Sequence, residues 1–334
     1  MSVYIPKGYK SHLNLIDTQY AIKIAKDNFE KKLSEKLSLI RVSAPLFVYP
    51  ETGLNDNLSG SERPVSFEIK ETGKYAEIVH SLAKWKRYAL GKYKISFDNG
   101  IYTDMNAIRR DEELDNLHSI YVDQWDWEKV IAYKDRTREY LIKEVKKIVE
   151  ALSETKEILL NKYKQLKFSI NKEVFFINSE DLLKMYPNNT TQERENLICK
   201  EKKTVFIIGI GAKLSNNLPH DNRAPDYDDW NLNGDLLIWH PLLNKAVELS
   251  SMGIRVDKKT LITQCEIART IERLNLPFHK SILEDKIPLS IGGGIGQSRL
   301  CLVLLEKIHI GEVQASIWSD DDVNIFNINQ LNIL

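Results

Sequence analysis

Cysteine is scarce in this 334-residue chain, and its scarcity excludes several chemistries at once. The 3 cysteines, Cys199, Cys265 and Cys301, are odd in number and widely spaced, which argues against a disulfide framework and a zinc cluster. None sits at the N-terminus or on a glycine-flanked elbow, so the thiol nucleophile of a glutamine-hydrolysing synthetase is missing. A surplus of either charge is missing too, because Lys and Arg total 47 and Asp and Glu total 47. Proteins whose main partner is nucleic acid carry a basic excess to neutralise phosphates, so no nucleic-acid partner is expected. Apolar runs such as 205–212 are far too short to span a membrane, and the first residues have no signal-peptide pattern. The expectation is a cytoplasmic protein of a reducing compartment with no membrane partner. No linker, repeat or low-complexity stretch divides the chain, so residues 1–334 read as one domain, with 43% apolar residues to fill its core.

Two common glycine motifs are absent as well. The dinucleotide fingerprint requires a glycine where Gln297 stands, three residues after Gly294. The run Gly209-Ile210-Gly211-Ala212-Lys213-Leu214-Ser215 lacks the Gly-Lys-Ser/Thr ending of a P-loop and reads as a strand leaving the core. What the chain does contain is Gly292-Gly293-Gly294-Ile295-Gly296-Gln297-Ser298-Arg299. Glycines 292, 294 and 296 alternate and so share one strand face, a mark of close approach by a ligand or another backbone. Residues 297–307 then read as an apolar helix with Arg299 in its first turn. A flat ring lying on the glycines under the guanidinium suits a purine nucleotide. A tight strand-to-helix turn with an incidental arginine accounts for the same residues equally well.

The pattern predicts a helix from a cap at Asp17 to about Leu37, with Ile22, Ala25, Phe29, Leu33 and Leu37 buried. A strand over 40–49 is interrupted by Pro45, and residues 51–64 read as loop. Further strands are expected at 66–69, 120–125, 174–178, 204–209, 235–239 and 246–250, and helices at 136–164, 179–185 and 258–274. Strands clustered with few intervening helices predict an α+β fold with an antiparallel sheet flanked by helices. Asp235 and Glu248 lie on two strands joined by a short Pro241-containing connection and are expected to be cross-strand neighbours. Two such carboxylates repel unless a cation sits between them, and Mg²⁺ on phosphates would serve, although each acid taken alone is more often an ordinary surface or paired one. The acidic run 226–230 holds Tyr227 and Trp230, which suggests a partly buried wall. Arg109 to Glu112 reads as a turn, and His80 to Arg87 as the start of a basic helix whose plain alternative is a solvated face.

Taken together, Arg109 with His118 and Asp126, the 248–255 strand and the 292–299 strand and helix follow the order of the signature motifs of class II aminoacyl-tRNA synthetases. The wording resembles more closely still the asparagine synthetase A family of ammonia-dependent aspartate ligases. The segments that carry the likeness are Asp56-Asn57-Leu58-Ser59-Gly60, 80–87, 121–128, 220–230, Asn233-Gly234-Asp235 and 291–300, which span nearly the whole chain. One departure is a short connection between Trp230 and Asn233, where family members can carry a longer loop and where the lid of the site is expected.

The resemblance implies a class II synthetase-like catalytic fold that makes asparagine from aspartate, ATP and ammonia through β-aspartyl-AMP. It implies Arg109 on the α-phosphate and as a catalytic group, Arg299 on adenine, and Asp235 and Glu248 as Mg²⁺ ligands. Leu249, Ser251, Arg255 and Ile295 would meet the nucleotide. Ser81, Lys86, Arg87, Gln124, Asp126, Tyr227 and Gly292 would hold aspartate, with Asp56 and Asp228 at the side-chain end, where ammonia must arrive and one acid could take its proton. Helix 17–37 with the Pro45 strand resembles the dimer-forming segment of class II synthetases, so a homodimer is expected. Two rivals are a tRNA ligase for aspartate or asparagine, which needs an anticodon-binding domain and a basic face, and a non-catalytic sensor, which would be expected to lose Arg109, Asp235, Glu248 or Arg299.

Overall fold

The computed structural model describes residues 3–56, 58 and 62–334. Helix α1 (Leu15–Leu37) opens the fold, and its cap is Asn14 rather than Asp17. The Asn14 side-chain oxygen accepts from the Asp17 N–H at 2.9 Å, while Asp17 lies in the first turn, where the helix end favours its charge. Ala21, Ala25, Phe29, Leu33 and Leu37 repeat at helical spacing and are fully buried, whereas Ile22 is only partly covered. The expected strand over 40–49 is broken at Pro45, which has no N–H for a ladder, into β1 (Leu39–Arg41) and β2 (Phe47–Val48) of two different sheets.

The chain continues as β3 (Ser66–Ile69), β4 (Lys74–Ile78), α2 (Ala83–Lys92), β5 (Gly100–Ile108), β6 (Tyr121–Val130) and α3 (Arg138–Lys162). Then come β7 (Phe175–Asn178), α4 (Ser179–Met185), α5 (Thr191–Lys202), β8 (Thr204–Ile208), β9 (Asp228–His240) and β10 (Lys245–Arg255). The last elements are α6 (Lys258–Ala268), α7 (Pro277–Leu283), β11 (Ser290–Gly296), α8 (Gln297–Leu304) and α9 (Asp320–Ile328). The helix expected over 258–274 stops at Ala268 because Arg269 turns left-handed at φ 58°, and a 3-10 turn covers Ile271–Asn275. Trp230 to Asn233 is not a loop: it lies inside β9, so the expected lid there is a strand.

The large sheet has 8 strands in the order β1-β5-β6-β11-β10-β9-β8-β7, and only its two edge pairings, β1 with β5 and β7 with β8, are parallel. A small antiparallel sheet β2-β4-β3 stands beside it. One face of the large sheet carries Trp125, Trp127, Met252, Ile254 and Ile291, packed in the main core with residues of α1, α3 and α8. Phe29 of α1 meets Trp125 with ring centroids 5.1 Å apart. Burying each such large side chain contributes about 1.5–3 kcal/mol. The apolar stripe of α1 is therefore internal, while Ile16 and Tyr20 on its other face stay exposed. Because strand side chains alternate, Gln124, Asp126, Glu128 and Ser251 turn to the opposite face, and that face forms the floor of a cleft. Among the described residues, no helix is long and apolar enough to cross a membrane.

Candidate active site

The cleft is made by two interlocking period-2 patterns. β6 pairs with β11 so that Glu128 faces Gly292, Asp126 faces Gly294 and Gln124 faces Gly296. A Cβ on Gly292 would collide with the Glu128 carboxylate, and one on Gly294 would lie 2.7 Å from Asp126 Oδ1. At 292 and 294 the bare face thus makes room for acids and an amide of the neighbouring strand, whereas at 296 it borders Arg299, and Gly294, Gly296 and Arg299 line the cavity together. Gly292 is buried and does not line the cavity, so its expected substrate contact is corrected. Ile295 is also corrected: it points to the helix-covered face, 1% exposed in the main core.

The cavity measures about 420 Å³ and is lined by most of the expected side chains. At one end α2 delivers its basic residues inward, not to solvent: Lys84, Lys86 and Arg87 are all buried. Lys86 Nζ donates to the Gly293 carbonyl at 2.8 Å and stands 3.4 Å from Asp126 Oδ2. Burial pushes the Lys86 ammonium below its ordinary value, against the pull of Asp126. Asp126 also accepts from the Leu82 N–H at 3.0 Å, which ties the start of α2 to the sheet. Arg87 is a correction. Its guanidinium donates to the Pro288 and Val256 carbonyls, away from the cavity, so it braces α2 instead of holding substrate.

The same end carries Asp56, which accepts from Ser81 Oγ at 2.9 Å and from the Leu58 N–H at 3.1 Å. Its neighbours Asn57, Ser59 and Gly60 in the sequence pattern lie outside the described residues. His80 is fully buried, and its Nδ1 lies 3.0 Å from the Asp56 carbonyl oxygen. Arg255, expected at the nucleotide, sits here instead. It donates through Nε and Nη2 to Glu128 and through Nη1 to Asp228. Burial works against its charge, but Glu128 and Asp228 hold the guanidinium well above its ordinary pKa. Burial likewise opposes the charge on Glu128, yet Arg255 keeps it below the usual range. Asp228 ends differently: burial outweighs Arg255 and raises its pKa. Tyr227 and Gln124 complete this part of the wall.

The other end is less saturated. Arg109, just past β5, stands 3.9 Å from Glu112, and its buried Nε has no hydrogen-bond partner. Arg299 in the first turn of α8 donates to the Glu248 carbonyl at 3.2 Å and is 3.8 Å from its carboxylate. Leu249 and Ser251 line the cavity beside it, Leu249 with its side chain in the main core. Asp235 is registered opposite Ser251, and a bulge between Glu248 and Ser250 makes Glu248 its diagonal rather than direct neighbour. Burial raises the pKa of both acids, and their mutual repulsion adds to the rise at Glu248. Glu248 lines the cavity with 40% of its side-chain surface open, whereas Asp235 does not line it. Arg223, which lines the cavity, donates through Nη2 to Asp235 Oδ2 at 2.6 Å.

Arg223, Glu128 and His80 are the residues to which sequence reasoning gave no role. The signal for Glu128 was available in the alternation of Gln124, Asp126 and Glu128, which mirrors that of the glycines. Arg223 falls in the 220–230 segment of the likeness, but its pairing with Asp235, 12 residues on in β9, could not be read from the sequence.

Comparison with known proteins agrees with this geometry. The family model described as aspartate–ammonia ligase matches residues 16–330. An aspartate–ammonia ligase of Clostridium tetani is 56% identical over 331 residues, covering 99% of this chain and 97% of that protein. One from Fusobacterium nucleatum is 55% identical over 326 residues, covering 98% and 99%. Among solved structures, the asparaginyl-tRNA synthetase of Entamoeba histolytica in complex with asparaginyl-adenylate superposes at a TM-score of 0.65 with 12% identity, over 89% of this chain and 66% of that one. The Pyrococcus horikoshii asparaginyl-tRNA synthetase complexed with asparaginyl-adenylate also scores 0.65, with 14% identity over 91% and 70%. The sheet and its flanking helices are thus those of class II synthetases, and with a full-length match at this identity the chain belongs to the aspartate–ammonia ligase family.

Proposed function

We propose that this ligase works in two half-reactions within the one cleft. ATP first adenylates the β-carboxylate of aspartate, and ammonia then displaces AMP to give asparagine. One observation carries the reading: a single cavity joins a pre-paired cation and anion, Lys86 and Asp126, to an end rich in unsaturated arginine and acid. The first end suits the head group of a zwitterion, and the second suits a polyphosphate. The bound asparaginyl-adenylate of the two synthetases is an acyl-adenylate of related type on this fold.

In the first step a β-carboxylate oxygen attacks the α-phosphorus, and the bond to pyrophosphate breaks. Negative charge grows on the phosphorus oxygens, where Arg109 with its unpartnered Nε is placed to receive it. Arg299 stacks on the adenine, while Leu249 and Ser251 border the nucleotide. Lys86, Asp126, Gln124, Ser81 and Tyr227 hold the amino-acid head, and Arg255 fixes Asp228 beside it. In the second step the amine nitrogen attacks the acyl carbon, the bond to AMP breaks, and a proton passes to Asp228 or Asp56. The raised pKa of Asp228 makes it the better-matched acceptor.

The acids at the nucleotide end fit a divalent cation. Asp235 and Glu248 are crowded carboxylates, and Asp235 Oδ1 has no hydrogen-bond partner. Among the described residues no group of three or more His, Cys, Asp or Glu side chains gathers in metal-binding geometry, so substrate phosphates would complete the shell. Mg²⁺ held there would screen the charge of the phosphates. Ammonia rather than glutamine is the donor, because all three cysteines are buried and burial pushes the Cys301 thiol up to about 12.

The chain works as one catalytic domain in the cytoplasm and as a homodimer. Its interface uses α1 with the strand segment around Pro45, where Ile16, Tyr20, Ile40, Leu46 and Phe47 are exposed. Light scattering at micromolar concentration checks this, and a monomer rejects it. The function itself is tested by following products from aspartate, ATP and ammonium. AMP, pyrophosphate and asparagine are expected, with little turnover on glutamine; ADP and phosphate as products overturn the adenylate.

A further inference from the structure

Arg223 lies in the segment between β8 and β9, with one guanidinium nitrogen on Asp235 and another on Asp221. Its side chain is 12% exposed and faces the cavity, while Asp235 is 6% exposed and does not. Asp235 thus lies just behind the cavity wall formed by Arg223, Ser251 and Glu248, and Arg223 holds it there. One Asp235 oxygen is taken by the arginine and the other is buried without a hydrogen bond. Charge explains the arrangement: Asp221, Asp235 and Glu248 all repel one another, and Arg223 is the cation set among them. Asp221, the second anchor, is exposed, so it can hold the guanidinium loosely as it leaves Asp235.

We propose that Arg223 is a two-position substrate-positioning residue, holding Asp235 when the cleft is free of nucleotide and turning to the phosphate chain of ATP when a divalent ion takes Asp235. This inference rests on the assignment of Asp235 and Glu248 to a metal–nucleotide site. The exchange replaces one cation on the carboxylate by another and supplies the freed guanidinium to phosphate oxygens, for which its planar fork is suited. It follows that the metal and the nucleotide are linked through one side chain. Free metal must compete with Arg223, whereas nucleotide rewards its release.

The consequence has two opposite signs, which a simple structural role does not produce. Mn²⁺ alone is titrated into enzyme without nucleotide and followed by its electron paramagnetic resonance, and ATP binding in saturating Mn²⁺ is measured separately. Arg223→Gln should bind Mn²⁺ alone about tenfold more tightly and ATP about tenfold more weakly. Arg223→Lys keeps a charge but loses the fork, and should show the same two shifts at smaller size. It also serves should the glutamine variant fail to fold. Mn²⁺ affinity that is unchanged or weaker, or ATP affinity that is unchanged, overturns the proposal. A separate control is Asp235→Ala: if it leaves Mn²⁺–ATP binding intact, the metal assignment itself fails, whatever the Arg223 variants do.

Discussion

The two ends of the cleft stand on the same central strands yet handle charge in opposite ways. At the end proposed for the amino acid Arg255 uses Nε, Nη1 and Nη2 on Glu128 and Asp228, and Lys86 and Asp126 lie within 3.4 Å of each other. That end is closed on itself, its charges paired with one another in the absence of any ligand. At the end proposed for the nucleotide Arg109 and Arg299 lie 3.9 and 3.8 Å from Glu112 and Glu248, and Asp235 and Glu248 repel each other with Arg223 as the one close cation on Asp235. Such a site is complete only with ligand charge inside it. On the proposed function, the contrast teaches that recognition of the small amino acid is built into the fold, whereas activation waits for the nucleotide.

The sharpest way to break the contrast is to remove the acids of the open end. Asp235→Ala with Glu248→Ala should abolish exchange of labelled pyrophosphate into ATP while circular dichroism stays native. Normal turnover in that variant removes the metal assignment. A next-largest effect is expected where ammonia enters. Asp56→Asn or Asp228→Asn should slow asparagine formation roughly 10²–10⁴-fold if the acid is a general base, with pyrophosphate exchange retained. Exchange falling in parallel would mean that these acids only position the substrate.

At the closed end the cost should appear in stability. Arg255→Ala leaves Glu128 and Asp228 buried and uncompensated, and should destabilise the protein by about 3–5 kcal/mol in urea unfolding. Arg299→Lys at the open end should leave unfolding unchanged and raise the KM for ATP roughly tenfold, because the planar stacking surface is lost. Unchanged ATP dependence would count against stacking.

The smallest effect concerns pH. Burial and Asp235 raise the pKa of Glu248 in the folded state, so its ionised form is less favourable there than in the unfolded chain. That penalty is full above the raised folded pKa and vanishes below the ordinary glutamate value of about 4. Glu248→Gln should therefore melt slightly higher than the parent at pH 7–8, by an amount limited by solvent screening of this half-open side chain. The gain should disappear as the pH falls to about 4. A variant that melts lower at neutral pH would show that Glu248 is not strained.

Periodicity made much of this fold legible, and long-range pairing was what it could not supply. The helix at 179–185 and the strand at 66–69 were read with correct bounds because their patterns are local. The α1 stripe was also visible, but a helix that packs on its own sheet and one that packs on a partner look alike in sequence. For the site, the residue types of Asp56, Lys86, Asp126 and Arg299 could be read from the motifs, and all four line the cavity. Arg87 and Arg255 could not be placed, since a buried guanidinium bound to carbonyls or acids is indistinguishable in sequence from one awaiting phosphate. The alternating glycines were read as a mark of close approach by a ligand or another backbone, and at 292 and 294 the close neighbour is the strand beside them.

The central claim, that the open end activates aspartate before ammonia takes part, is tested most directly by isotope exchange in the intact enzyme. Labelled pyrophosphate is incubated with ATP, Mg²⁺ and aspartate in the strict absence of ammonium. The account predicts that label enters ATP, and that omitting aspartate stops it. Exchange that requires ammonium, or none with all other components present, would contradict an adenylate formed in a separate first step.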